Sequence, residues 1–389
     1  MKTQVAIIGA GPAGLLLGHL LGAEGIECVV VERATPEYVL GRIRAGVLEG
    51  GTTDMLTQLG LDARLKAEGI PHDGFCLADG ERLIRIDVAA LTGKHVTVYG
   101  QTEVTRDLMD AAPERGLQII YSASDVALHD VASDAPYLTY TQGGRPERLN
   151  AQYIVGCDGY HGPARQAIPA RIGQVFERVY PFGWLGILAD VPPCHHELIY
   201  ANHANGFALA SMRSTTRSRY YIQVPVDEDI TQWPDERVWD ELAVRLGPEA
   251  AAAMTRGPSI EKSIAPLRSF VFEPMRYGKL FLCGDAAHIV PPTGAKGLNL
   301  AASDVAYLST ALIAKFKHND NGGIAGYSGQ ALARVWKSER FSWSLTKLMH
   351  RFPDDGPFER RMQVAEMEYI ANSRAMQTSI AENYVGLPL

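Results

Sequence analysis

Three glycines at fixed spacing carry the first chemistry of this 389-residue chain. Gly9, Gly11 and Gly14 follow the apolar run Val5–Ile8 in the order G-x-G-x-x-G, and Glu32 closes the next apolar run. Gly9 serves the tight turn, Gly11 lets a pyrophosphate approach the backbone, and Gly14 lets a helix pack close to the strand. A helix from Pro12 aims free N–H groups and a partial positive charge at those phosphates. Glu32 can accept hydrogen bonds from a ribose diol. This is the pattern of a dinucleotide-binding βαβ unit.

Two further strings end apolar runs in an aspartate beside a glycine. They are Tyr153–Arg165, with Asp158-Gly159, and Leu280–Asn299, with Gly284-Asp285. A carboxylate at the C-terminal edge of a strand suits a ribityl or ribose hydroxyl, because ligands of α/β sheets sit outside that edge. Each aspartate alone could equally make a turn. The stretch Gly294–Asn299 runs from a proline-rich loop into a helix. Its first N–H groups, at Leu298 and Asn299, could hold the negative charge of a reduced ring system. Ser211 and Arg213 are two apart on one expected strand, and Arg219, Tyr221 and Gln223 share a face of the next. A hairpin can therefore gather Ser211, Arg213 and Tyr221 into a carboxylate clamp. A solvated, charged sheet face accounts for the same residues.

The elements that must position these groups fall into a mixed order. Helix–strand alternation runs to about residue 156. Alternating antiparallel segments follow between 180 and 270, at Glu197–Tyr200, Gly206–Arg213 and Ser218–Pro225. Helical runs are expected at 297–317, 324–350 and 357–379, and helical periodicity also at 52–68. The net charge of -7 gives no basic surface for nucleic acid. The apolar stretch 5–23 contains Gly9, Gly11, Pro12, Gly14, Gly18 and His19, so the βαβ reading explains it better than a membrane span. With a strand starting at Gln4, no signal peptide is expected. Five cysteines without a C-x-x-C pair fit a reduced cytoplasm and no metal.

The three strings, in this order, resemble the class A flavoprotein aromatic hydroxylases. The resemblance extends through Tyr38–Gly46, Tyr99–Asp107, Arg178–Gly186, Glu197–Asn202, Lys262–Phe270 and Glu382–Leu387, nearly the whole chain, and is strongest with members that act on 4-hydroxybenzoate. It implies an α/β fold: a Rossmann-like FAD-binding domain (1–174), a mixed-sheet substrate domain (175–289, its Asp285 strand returning to the first) and a helical C-terminal region (290–389). That last region would complete the flavin site and form a homodimer interface.

Carried over by position, Gly9, Gly11, Gly14, Glu32, Arg42, Arg44, Gln101, Asp158, Asp285, Leu298 and Asn299 contact FAD. Arg33, Tyr38, Arg42, Arg44, His161 and Arg268 match an NADPH groove. NADPH is favoured because Arg33 can pair with a 2′-phosphate, and NADH stays possible. Ser211, Arg213 and Tyr221 hold the carboxylate, while Pro292 and Thr293 line the ring. Tyr200, Tyr384 and His72 relay the phenol proton to water. The relay answers a chemical need, since a phenol with pKa near 10 must lose its proton to become a strong nucleophile. Tyrosines in the core and a surface-loop histidine are the plainer alternative for these three. The implied reaction reduces FAD with NADPH, forms a C4a-hydroperoxide from O2 and hydroxylates C3 to give 3,4-dihydroxybenzoate. Alternatives are a related enzyme for 4-aminobenzoate or 3-hydroxybenzoate and, from a different class, a non-catalytic flavin-binding protein.

Overall fold

The computed structural model describes residues 1–41, 46–80 and 82–388. Arg42 and Arg44 lie outside the described residues. A six-stranded sheet runs in the order Arg276–Tyr277, Leu280–Leu282, Tyr153–Gly156, Val5–Ile8, Cys28–Val31, Gln118–Ile120. Its strands pair in parallel, except for the antiparallel edge at Arg276–Tyr277. Val5, Ile7, Val30, Ile154 and Phe281 are fully buried, as strands covered on both faces must be. Helix Pro12–Ala23 begins at Gly11 with proline in its first turn, where a missing N–H costs nothing. This strand and helix account for the apolar stretch 5–23. Three strand ends, carrying Gly9, Asp158 and Asp285, meet on one edge of the sheet.

The second sheet has eight strands, in the order His288–Ile289, Ser259–Glu273, Gln174–Ala189, Arg217–Pro225, Ala208–Ser214, Ile199–Asn202, Gly74–Asp79, Arg82–Asp87. Its last two strands come from residues 74–87, which precede the antiparallel region expected from sequence. Register divides the sheet cleanly. One row reads Leu77, Tyr200, Leu209, Tyr221, Gly186 across five strands. The adjacent row, Cys76, Ile199, Ala210, Tyr220, Ile187, faces the other way. The second row packs with Trp239 and Leu242 of helix Asp235–Leu246. The first row packs with Phe341, Met349, Ile370 and Tyr384 of the C-terminal helices.

Those helices are Gly297–His318, Gly322–Met349, Pro357–Asn372 and Arg374–Tyr384. Gly297–His318 is long and apolar enough to cross a membrane, but 61% of that window is buried within the fold. The periodic stretch 52–68 is two helices, Gly50–Gln58 and Ala63–Glu68. Gly60 at φ 65° separates them.

Candidate active site

The three fingerprint glycines differ in backbone angle and in the space around them. Gly9 sits at φ 103°, and a Cβ there would lie 2.4 Å from the Cys157 carbonyl oxygen. A Cβ on Gly14 would lie 2.0 Å from the Gly9 carbonyl oxygen, so the helix and strand touch through bare backbone. Gly11 has nothing within 4 Å of its missing Cβ, which leaves an open approach at the helix N-terminus. Glu32 braces this turn, its carboxylate accepting from Ala10 N at 2.7 Å and Ala34 N at 2.8 Å.

Asp158 turns inward. One carboxylate oxygen accepts from Ala164 N at 2.8 Å, the other is buried without a partner, and burial raises its pKa to about 6. Asp285 sits half-buried in the Gly284–Ala286 turn, with no hydrogen bond among the described residues. Gly284 N donates at 2.9 Å to Asp304, which also holds His288 at 2.6 Å, so the turn carrying Asp285 is clipped to helix Gly297–His318.

That helix starts at Gly297 without a side-chain cap. Backbone N–H groups of Leu298 and Asn299 are thus left in its first turn. The Asn299 side chain is fully engaged. It accepts from Glu49 N and the Thr52 hydroxyl and donates to Val47 and Ala295 carbonyls. Lys296 is buried just before it. Its ammonium donates to Glu49 at 2.6 Å and to the Tyr384 carbonyl at 2.9 Å, while burial lowers its pKa. Gln101 stands half-buried at the start of helix Gln101–Ala111. The open Gly11 cradle, the uncapped helix start and the unpartnered Asp285 carboxylate match the phosphates, ring and polyol of FAD.

The second group lies on the inner row of the eight-stranded sheet. Tyr200 and Tyr384, 184 positions apart, meet hydroxyl to hydroxyl at 3.2 Å. Both are buried; burial pushes Tyr200 up to about 12 and raises Tyr384 well above the usual tyrosine range. Phe75 stacks on Tyr384 with ring centres 4.0 Å apart. Gly186 leaves space beside Tyr221, since a Cβ there would lie 2.7 Å from that ring. Arg219 is paired with Glu261 at 2.7 and 3.2 Å. Arg213 is not paired with any carboxylate among the described residues. Its guanidinium donates only to the Met212 carbonyl at 3.0 Å, and its Nε is buried without a partner. Burial lowers its pKa, and the Tyr221 hydroxyl lies beside it. The Ser211 hydroxyl donates across the hairpin to the Arg219 carbonyl at 2.7 Å, so its proton is committed.

His72 does not sit in a plain loop. It ends the short strand Ile70–His72, is 2% exposed, and has both ring nitrogens buried without partners. Burial lowers its pKa to about 4, so the ring is neutral at pH 7. No hydrogen bond joins it to Tyr384 among the described residues. Thr293, on the Pro292–Gly294 turn, is fully buried and bonded to the Thr346 hydroxyl at 2.8 Å.

The groove residues divide. His161 and Arg268 both pack on Tyr160, at 4.9 and 4.6 Å, and Arg268 pairs with Glu177 at 3.3 Å. Arg33 and Tyr38 are exposed on a separate stretch, with no hydrogen bond or ion pair to that cluster among the described residues. Also among the described residues, no group of three His, Cys, Asp or Glu side chains could hold a metal ion.

A family model described as an FAD binding domain matches residues 2–342. The chain belongs to this family, the class A FAD-dependent aromatic hydroxylases, and is an enzyme. Within the family it groups with p-hydroxybenzoate hydroxylase. It is 57% identical to the Acinetobacter baylyi protein of that name, covering 100% of this chain and 96% of the relative. A 3-(3-hydroxy-phenyl)propionate/3-hydroxycinnamic acid hydroxylase from a Mycobacterium species is 27% identical over 87% of this chain and 57% of its own length. Among solved structures, p-nitrophenol 4-monooxygenase from Pseudomonas putida superposes with a TM-score of 0.85 at 17% identity, each chain fully covered. That likeness shows the shared fold.

Sequence reasoning missed the Lys296–Glu49 pair, the His288–Asp304 clip and the Trp184–His350 bond. Lys296 and His288 stand inside the Leu280–Asn299 string, which was their only signal. Their partners lie 247 and 16 positions away.

Proposed function

We propose that this enzyme hydroxylates 4-hydroxybenzoate at C3, giving 3,4-dihydroxybenzoate, with NADPH and O2 as co-substrates. The observation that carries the reading is the pairing of opposite needs in one region. A half-buried Arg213 guanidinium with no carboxylate partner among the described residues and a buried Nε without a partner, and a buried hydroxyl pair at Tyr200–Tyr384, belong to the same sheet, and Tyr200 shares a row with Tyr221. A carboxylate answers the first need and a phenolic oxygen the second. The name of the Acinetobacter relative supports the same substrate.

Bound FAD supplies hydride acceptance and activation of dioxygen. The chain's own residues do the rest. Arg213 holds the carboxylate in a charge-assisted bond, beside the Tyr221 hydroxyl. Ser211 joins only by releasing the Arg219 carbonyl. Tyr200, neutral because burial holds its pKa at about 12, donates to the phenolate oxygen once the substrate proton has left. The proton passes through the Tyr200 and Tyr384 hydroxyls; His72, which no hydrogen bond joins to Tyr384 among the described residues, takes it on only after a shift that brings its neutral ring within reach. The Pro292–Gly294 turn presents its backbone to the ring, since the Thr293 hydroxyl is bonded away from it. The buried rings of Phe75, Tyr200 and Tyr384 help to exclude water from the oxygen-transfer step.

Arg33, Tyr38, His161 and Arg268 are proposed to hold NADPH, with exposed Arg33 at its 2′-phosphate. A homodimer is supported by helix Pro357–Asn372, where Phe358, Met362 and Tyr369 form a stripe 71%, 52% and 55% exposed. Sedimentation at micromolar concentration should give twice the chain mass. A cytoplasmic location is supported by five unpaired cysteines.

Product analysis tests the activity. With 4-hydroxybenzoate and NADPH, one 3,4-dihydroxybenzoate should form for about each NADPH consumed. Faster, coupled turnover of 4-aminobenzoate or 3-hydroxybenzoate would refute the substrate. Absence of any benzoate-stimulated NADPH oxidation would refute the reaction.

A further inference from the structure

Helix Gly322–Met349 carries a buried polar seam that neither the FAD contacts nor the carboxylate clamp uses. Ser342 and Thr346 lie one turn apart on it, and His350 caps its end a turn further on. Thr346 and His350 are fully buried. The Thr346 hydroxyl donates to the Ser342 carbonyl at 2.7 Å. Its oxygen is therefore the acceptor for the Thr293 hydroxyl at 2.8 Å. The Thr346 carbonyl then takes the His350 side chain, Nδ1 to oxygen at 2.9 Å.

A carbonyl only accepts, so Nδ1 carries the proton and Nε2 is a lone-pair acceptor. That lone pair receives the indole N–H of Trp184 at 2.7 Å. Burial favours this neutral ring. The imidazole is also held by stacking, 4.8 Å from Phe182 and 4.3 Å from Phe207. Trp184 in turn lies 5.1 Å from Tyr221, the ring beside Arg213. One unbroken chain of contacts thus runs from the Pro292–Gly294 turn to the carboxylate clamp.

We propose that Thr346 and His350 are positioning residues that lock the flavin-facing turn and the Trp184 wall of the substrate cavity into one register. Neither residue touches substrate. The pair transmits position: Thr293 fixes one end, Trp184 the other, and the last turn of the helix and the bond from His350 to the Thr346 carbonyl join them. The flavin-facing role of the turn and the substrate-facing role of Trp184 rest on the proposed function. The physical coupling does not.

The test uses FAD-loaded enzyme labelled with 15N-tryptophan, the Trp184 indole signal being assigned by its loss in Trp184→Phe. Thr346→Val keeps the side-chain shape, removes the acceptor for Thr293 and does not touch Trp184. It should shift the Trp184 indole signal and weaken 4-hydroxybenzoate binding severalfold. His350→Phe keeps the stacking and removes the acceptor; it should shift the same signal and raise the Kd about tenfold, the scale of a lost buried hydrogen bond. His350→Gln, which retains a donor and an acceptor, should recover most of that loss. A Trp184 signal and Kd unmoved by Thr346→Val overturn the proposal, whatever His350→Phe does. If wild-type enzyme fails to bind 4-hydroxybenzoate while Thr346→Val still moves the indole signal, the substrate assignment fails and the coupling stands.

Discussion

Two side chains bear the proposed chemistry most directly, and each has a separable consequence. Tyr200→Phe removes the hydroxyl that meets Tyr384 at 3.2 Å but keeps the ring against Phe75. Substrate should still bind, hydroxylation should fall by about 10²-fold or more, the scale of general acid–base catalysis, and NADPH consumption should appear as hydrogen peroxide. Assays of dihydroxybenzoate and peroxide together check this; unchanged product per NADPH would remove Tyr200 from the relay. Arg213→Ala should weaken 4-hydroxybenzoate binding by about 2–5 kcal/mol, the cost of leaving a buried charge unpaired. A flavin absorbance titration reads it directly, and an unaltered Kd would take Arg213 out of the site. Residue types were legible in sequence where resemblance supplied a partner. Tyr200 and Tyr384 are an example, because no periodicity relates residues 184 positions apart. His72 was legible as a residue but not as an environment. Its flanking proline and aspartate read as loop, yet its strand pairs with Val96–Val98 and buries it. Trp184 and His350 were silent because an indole and an imidazole in apolar runs look like ordinary core.

At the scale of elements, the FAD turn shows how little slack the fingerprint has. Gly14→Ala puts a methyl 2.0 Å from the Gly9 carbonyl oxygen, which is backbone and cannot step aside. Overpacking of this kind costs about 1–3 kcal/mol, and here it falls on the helix proposed to hold the phosphates. The variant should purify with weakened FAD binding, the dissociation constant up by about tenfold; wild-type flavin content and affinity would contradict the role given to close helix–strand contact. The first βαβ unit and the hairpin 208–225 were readable because period and turn signals agree with the fold. Strands Gly74–Asp79 and Arg82–Asp87 were not. They belong to the second sheet through parallel pairing of Ile199 with Cys76 across more than a hundred residues, a relation that no local pattern encodes.

The whole molecule balances buried groups that titrate in opposite directions. His72 is lowered from 6.5 to about 4 and His350 from 6.5 to about 3. As pH falls below 6.5 the unfolded chain takes up these protons and the folded one does not, so acid destabilises through them. Glu339 is raised from 4.5 to about 7 and Asp158 from 3.8 to about 6. Folded enzyme keeps these protons where the unfolded chain has lost them, so rising pH destabilises through this pair. His72→Asn should therefore raise Tm more at pH 5 than at pH 8. Glu339→Gln should do the reverse, and thermal scans at both values check the signs. Residues 74–87, well before the boundary expected at residue 174, complete the second sheet. The central claim is that one ligand bridges Arg213 and Tyr200. A crystal structure of the FAD-loaded enzyme with 4-hydroxybenzoate tests it most directly. The carboxylate is expected on the Arg213 guanidinium and the phenolic oxygen within hydrogen-bond reach of Tyr200. A bound ligand that leaves Arg213 and Tyr200 facing separate cavities would contradict it.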